Sequence, residues 1–213
     1  MSNISDMREN YDRAILDEAH IDPNPMKQFH IWFEEIRNED ILEPNAMTLS
    51  TIDKDGNPAS RTVLLKGLEE DRFIFYTNYD SAKGNEIGDN PNVAILFLWK
   101  KLQRQVRITG KAVKVSKAQS EAYFHSRPKE NQIGAWVSPQ SRVIEDKNIL
   151  MERKEVLIEK YKDADELPLP EFWGGYFVKP EMMEFWQGRP SRLHDRLRYS
   201  QVEGNWKLER IAP

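Results

Sequence analysis

Phe185 to Arg196 reads FWQGRPSRLHDR. Phe185-Trp186 ends an aromatic strand, Gly188 and Pro190 make a loop, and Arg192, His194 and Arg196 follow at alternate positions. In an extended segment, residues two apart point to the same face. The spacing therefore predicts three cationic or titratable side chains along one surface. Crowding like charges is unfavourable unless an anion sits among them. Two readings stand on these residues alone: an edge strand with solvated arginines, or an anion site.

Outward from this stretch the pattern is mostly strand. Residues 172–178 and 182–187 precede it, and 195–200 and 206–211 follow, the last two joined by a turn at Val202–Asn205. Near the other end, AMTLSTI (46–52) and SRTVLLK (60–66) flank the hairpin signal Asp55-Gly56-Asn57. RFIFYT (72–77) is aromatic and β-branched. VAILFLW (93–99) is continuously apolar, as a strand buried on both faces is. QRQVRITGKAVKV (103–115) alternates over a long span, with a bend expected at Gly110.

Helices are expected from Pro25 to about Asn38, from Ser81 to before Pro91, over 116–126, and over 141–161. In the last, Val143, Leu150 and Leu157 fall seven apart, as do Ile149 and Val156, giving one apolar face. Seven or eight strands joined by short turns favour antiparallel pairing. The fold class expected is mainly β with flanking helices, an antiparallel barrel. Residues 1–22 read as an arm and 23–213 as one domain.

The totals narrow the function. The 213 residues carry a formal net charge of −4, without the basic excess of a nucleic-acid binder. There is no cysteine, which excludes disulfides, thiolate catalysis and cysteine-ligated metals. No apolar run is long enough to span a bilayer and no signal-peptide pattern opens the chain, so a cytoplasmic protein is expected. Neither GxGxxG nor GxxxxGK[ST] occurs, so any phosphate would be held by side chains. His30 and Glu34, four apart on a helix, read as a solvated ion pair rather than a metal site. No metal is expected.

The string at 185–196 resembles the C-terminal signature of the pyridoxine 5'-phosphate oxidases: E-F-W, a short spacer, then R-aliphatic-H-D-R. Met183 stands where that family more often has a branched aliphatic or phenylalanine. RTVLLK (61–66), FYTN (75–78), RQV (104–106), YFHSRP (123–128), QIGAWVS (132–138) and FWGG (172–175) resemble family segments in family order. The resemblance implies an FMN-binding split β-barrel and a homodimer with FMN at the interface. It implies oxidation of pyridoxine 5'-phosphate or pyridoxamine 5'-phosphate by oxygen to pyridoxal 5'-phosphate, with hydrogen peroxide released.

The resemblance also implies roles. FMN would meet Arg61, Thr62, Val63, Leu64, Leu65, Lys66, Tyr76, Thr77, Lys83, Gln105, Gln140, Ser141, Trp186 and Arg196. The substrate phosphate would meet Lys66, Tyr123, Arg127 and Asn131. Arg192 and His194 would be catalytic, facing the pyridine ring beside Leu193, with Arg8 and Tyr11 closing from the arm. On the residues alone, blander readings stay open. Arg61 and Lys66 bracket a strand and, five apart, point to opposite faces of a flat one. Lys83 suits a surface helix turn, Gln105 a solvent-facing strand, Ser141 a helix cap, Trp186 plain core, and Arg127 a helix C-terminus.

Two positions depart from the family: Ala82, where arginine usually precedes the lysine, and Asn131, where serine is usual. Two rival readings are a phenazine-pathway oxidase of the same barrel class and a non-catalytic flavin- or haem-binding barrel. The phosphate trio Lys66, Tyr123 and Arg127 argues against the first. Arg192 and His194 argue against the second.

Overall fold

The structure is a computed structural model that describes residues 3–7 and 9–213. Arg8, expected at the substrate, lies outside them. In chain order the elements are α1 (Pro25–Arg37), β1 (Ala46–Ile52), β2 (Pro58–Leu64), β3 (Gly67–Glu69), β4 (Arg72–Asn78), α2 (Ala82–Asp89), β5 (Asn92–Trp99), β6 (Arg104–Lys114), α3 (Lys117–Ser126), α4 (Lys129–Val137), α5 (Asn148–Lys160), β7 (Trp173–Gln187), β8 (Asp195–Val202) and β9 (Asn205–Arg210). Hydrogen-bonded neighbours run β2-β1-β5-β6-β7-β4-β3, with β8 pairing both β7 and β9. The β3–β4, β4–β7, β7–β8 and β8–β9 ladders are antiparallel.

Local signals explain most boundaries. Asn24 caps α1 by accepting from the Met26 and Lys27 amides, with Pro25 in the first turn. Gly56, at φ +85°, makes the turn of the β1–β2 hairpin. Ser81 caps α2 through the Gly84 amide, and Ser116 caps α3 through that of Gln119.

Several expectations are corrected. The helix expected over 141–161 starts only at Asn148, because Pro139 precedes a turn in which Ser141 sits at φ +68°. Val143 is fully exposed, and only Leu150 and Leu157 of the expected stripe pack on the neighbouring core. The strands expected at 172–178 and 182–187 are one continuous strand. Helix α4 and the short β3 were not expected. Glu34 pairs with Arg37 at 2.7 Å instead of with His30. Among the described residues no group of three or more histidines or acids could hold a metal ion, and no helix is long and apolar enough to cross a membrane.

The chain forms two compact units. One comprises Met1–Leu49, Ala94–Gly110 and Pro180–Pro213, the other Ser50–Val93 and Lys111–Lys179. In the first, the apolar face of α1 packs on strands. Phe29 lies 5.0 Å from Phe97, and Trp32 lies 5.1 Å from Phe185, ring centre to ring centre. In the second, Phe124, Ile133, Val137, Leu167 and Trp173 form a buried cluster beneath α3 and α4. Burial of such side chains stabilises by about 1.5–3 kcal/mol each.

Candidate functional site

The second unit contains a cleft of about 940 Å³. Its walls come from the end of β2 and the residues after it, the end of β4, the start of α2, the α3–α4 junction and the turn before α5. Arg61, Lys66, Lys83 and Arg127 line it. Glu130 is an acid in the same lining and Glu86 balances Arg61, so the cations are left in a smaller net excess that still favours an anion.

Local structure puts each cation there. Lys66 lies beyond the end of β2, so strand alternation does not bind it, and it lines the same cleft as Arg61. The Arg61 guanidinium is half-buried, 2.7 Å from Glu86, and also donates to the Thr51 hydroxyl. Lys83 lies in the first turn of α2, where its Nζ donates to Gln140 Oε1 at 2.9 Å and to Thr77 Oγ1 at 3.2 Å. Thr77 also donates to Gln140 at 3.2 Å. Burial, and then the charge of Arg61, hold the Lys83 pKa below its usual value.

Arg127 ends α3 with an extended backbone. Its guanidinium lies over the Trp173 ring at 4.7 Å. One terminal nitrogen, Nη2, donates to the Asn131 carbonyl at 2.7 Å. The other, Nη1, is buried without a hydrogen-bond partner among the described residues, which makes it a candidate anion donor. The first turn of α4, which has no side-chain cap, lines the cleft beside it through Pro128, Glu130 and Asn131. An uncapped helix start favours negative charge.

Aromatic rings form the rest of the wall. Tyr76 stacks on Tyr123 at 3.7 Å and on Trp173 at 5.6 Å. Burial pushes the Tyr76 hydroxyl up to about 12, so it stays protonated. Gly175 makes this packing possible, since a Cβ there would lie 2.8 Å from the Tyr76 ring.

Thirteen of the sequence-expected residues line this cleft: Arg61, Thr62, Val63, Leu64, Lys66, Tyr76, Thr77, Lys83, Tyr123, Arg127, Asn131, Gln140 and Ser141. Leu65 is buried and does not. Gln140 and Ser141 arrive from a turn, not from the helix start expected for them.

The remaining expected residues belong to the first unit. Gln105 is half-buried on β6. Trp186 and Arg196 are register partners in the β7–β8 ladder. The alternation expected for Arg192, His194 and Arg196 does not form. Ser191 and Arg192 have φ of +57° and +61°, which breaks the extended chain, and β8 begins only at Asp195. Arg196 instead pairs with the buried Glu184 at 2.8 Å, and Arg107 reaches the same carboxylate at 3.0 Å. Leu193 is exposed.

The His194 ring packs on Trp186 at 4.6 Å. Its Nδ1 accepts from the Arg189 amide at 3.1 Å, which leaves the neutral ring its proton on Nε2. Burial, and then Arg192, hold the His194 pKa below 6.5, against the opposing pull of Asp195. Tyr11 stands edge-on to Trp186 at 5.8 Å and lies 5.8 Å from His194.

Sequence reasoning passed over Gln103, Arg189, Asp195 and Arg210, which anchor the segment carrying Tyr11. Arg189 donates to the Ala14 carbonyl at 3.0 Å. Asp195 accepts from the Leu16 amide at 3.2 Å. Arg210 pairs with Glu18 at 2.6 Å and with Asp195 at 2.9 Å. The D of the HDR string was the available signal for one of them.

Known proteins resemble the chain along its whole length. A family model described as Pyridoxamine 5'-phosphate oxidase matches residues 33–154. A second, described as Pyridoxine 5'-phosphate oxidase C-terminal dimerisation region, matches residues 173–213. A pyridoxine/pyridoxamine 5'-phosphate oxidase of Salinibacter ruber (strain DSM 13855 / M31) is 51% identical over 215 residues, covering 100% of both chains. The chain belongs to the pyridoxine/pyridoxamine 5'-phosphate oxidase family.

This is a family of oxidoreductases. Its member from Gloeothece citriformis (strain PCC 7424) is 52% identical, covering 99% of each chain. The crystal structure of PhzG from Burkholderia lata 383 in complex with tetrahydrophenazine-1-carboxylic acid matches with TM-score 0.87 at 27% identity, covering 93% of this chain and 98% of that one. A pyridoxamine 5'-phosphate oxidase-related, FMN binding protein from Nostoc punctiforme PCC 73102 matches in fold with TM-score 0.72 at 20% identity, over 91% of this chain and 100% of that one. The fold is the antiparallel split barrel with flanking helices that the strand pattern and the family segments suggested.

Proposed function

We propose that the protein oxidises pyridoxine 5'-phosphate or pyridoxamine 5'-phosphate to pyridoxal 5'-phosphate, using FMN and oxygen and releasing hydrogen peroxide. The observation that carries this reading is the cleft lined by Arg61, Lys66, Lys83 and Arg127 beside the Tyr76–Tyr123–Trp173 stack. Such a site suits planar ligands that end in phosphate.

The donor set fits FMN. Lys83, Thr77 and Gln140 form one polar cluster, Arg61 a second, and both can offer hydrogen bonds to a phosphate. FMN, when bound, supplies the redox chemistry, taking two electrons from the substrate and passing them to oxygen. The chain supplies orientation and charge. Arg127, with a buried unpartnered nitrogen, Tyr123 and the start of α4 would hold the substrate phosphate, and Lys66 would serve both ligands. Asn131 keeps a polar side chain at the position where serine is usual.

Arg192 and His194 would hold the pyridine ring so that the reacting carbon faces the flavin. Gln105, Trp186 and Arg196 would complete the flavin contacts. With the amine substrate, water completes the reaction and ammonia leaves. We propose a homodimer with FMN at its interface, supported by the match of residues 173–213 to a dimerisation-region model.

The likeness to PhzG raises a phenazine-type substrate as the second reading. The buried Arg127 donor and the uncapped α4 start favour the phosphorylated one. The test is direct. The purified protein should be yellow and should form peroxide when pyridoxine 5'-phosphate is added in air. A colourless protein that stays inactive with added FMN rejects the reading. Arg192→Ala should sharply lower turnover while flavin stays bound; unchanged turnover removes Arg192 from the catalytic set.

A further inference from the structure

Gln103 stands just before β6 in the left-handed region, at φ 55° and ψ 40°. Its backbone is tied to the end of β7, where its carbonyl accepts from the Gly188 amide at 2.8 Å and from Gln187 Nε2 at 3.2 Å. Its side chain turns the other way, to the N-terminal segment. Oε1 accepts from the Asp12 and Arg13 amides, each at 3.1 Å, and Nε2 donates to the Asn10 carbonyl at 3.3 Å. These three bonds lie on both sides of Tyr11.

Tyr11 is the residue that reaches Trp186 and His194. Gly188 leaves it room, since a Cβ there would stand 2.7 Å from Tyr11 Cγ. Gln103 therefore grips at once the floor on which Tyr11 rests and the backbone that carries it. Residues 9–14 have no regular secondary structure, and none of them is fully buried. Their place depends on hydrogen bonds more than on packing. A primary amide suits the task, because it accepts two N–H groups and donates to one carbonyl. Glutamate can accept but cannot donate. Arg13, Arg189, Asp195 and Arg210 secure residues 13 to 18, downstream of Tyr11.

We propose that Gln103 is a positioning residue that holds Tyr11 across the Trp186–His194 face and so sets substrate affinity without touching the flavin. The affinity part rests on the reading under Proposed function; the clamp itself does not. Desolvation of His194 agrees with a ring kept covered.

The test uses the full chain and Gln103→Gly. Glycine accepts the left-handed backbone without strain, so only the side chain is lost. Three results are expected: trypsin cleavage after Arg13 about tenfold faster, the His194 titration moved up toward 6.5 in histidine NMR, and KM for pyridoxine 5'-phosphate raised about tenfold with kcat and flavin content nearly unchanged. Gln103→Glu, which keeps two of the three bonds, should lie between. Unchanged cleavage and unchanged His194 titration overturn the clamp. A released arm with unchanged KM overturns the role in affinity. If the wild-type chain does not oxidise the phosphate, the functional reading fails, and cleavage and titration alone decide the clamp.

Discussion

The Arg61 guanidinium lies 2.7 Å from the Glu86 carboxylate, in the wall of the cleft that would take the flavin phosphate. The pair is largely screened from water, and its positive charge is already balanced. A phosphate drawing on Arg61 competes with Glu86 for it. Glu86→Gln keeps an acceptor for Arg61 and Thr51 and removes the competing charge. FMN should then bind about tenfold tighter, on the order of 1.4 kcal/mol, while riboflavin, which has no phosphate, should not change. Fluorescence titration of the flavin-free chain with both flavins measures this, and an equal gain for the two would refute charge competition.

Lys83 gives flavin binding a pH dependence. Its pKa is held below 10.5 by burial and by Arg61. In the window between its folded and unfolded values the unfolded chain holds the Lys83 proton more tightly, so this group adds stability to the flavin-free protein as pH rises there. A bound phosphate favours the ammonium, so FMN affinity should fall over the same rise. The Lys83 contribution to stability and the FMN affinity should thus move in opposite directions, and Lys83→Met should flatten the affinity trend and remove that contribution, read as the difference between the two proteins' melting profiles. Calorimetric melting and FMN titration across that range report them separately.

His194 is expected to be neutral at pH 7. Its pKa is lowered by burial and by Arg192. Below 6.5 the unfolded chain takes up the proton first, so this group costs stability as the solution becomes acidic. Arg192→Gln removes one of the two causes, and the NMR midpoint should rise toward 6.5. A midpoint that stays where it was would mean that the arginine charge does not reach the ring.

Two glycines of α2 should respond in opposite ways. A Cβ on Gly84 would lie 2.0 Å from the Tyr79 carbonyl oxygen, a backbone atom that cannot step aside. Gly84→Ala should cost about 1–3 kcal/mol and lower the melting temperature by roughly 5 °C. A Cβ on Gly88 meets nothing within 4 Å, so Gly88→Ala should stabilise by up to about 1 kcal/mol. Differential scanning calorimetry of the two variants is sufficient. A Gly84→Ala protein as stable as the parent would show that the α2 start can shift.

The sequence disclosed whatever is decided locally. Asp55-Gly56-Asn57 announced its hairpin, Ser81 and Ser116 their helices, and the family segments most of the cleft lining. It misled where backbone twist overrode spacing. Arg192, His194 and Arg196 alternate along the chain, but left-handed residues at Ser191 and Arg192 break the strand that would have aligned them. Ser141 looked like a cap and is a turn residue with positive φ. Gln103 was illegible for another reason: its partners lie 90 to 93 positions away, and nothing in its own surroundings marks them.

The arm's anchors also fix when it can settle. Tyr11 is held through Gln103, and residues 14 to 18 through Arg189, Asp195 and Arg210, the last of them 192 positions from Glu18. Every one of these partners is synthesised after the arm. On a ribosome residues 11 to 18 emerge before these partners, yet they must wait until Arg210 has been made before all their anchors exist. Closing so long a loop costs least once the β8–β9 hairpin has already folded. Residues 11 to 18, though made before their anchors, would therefore be among the last to take their final position.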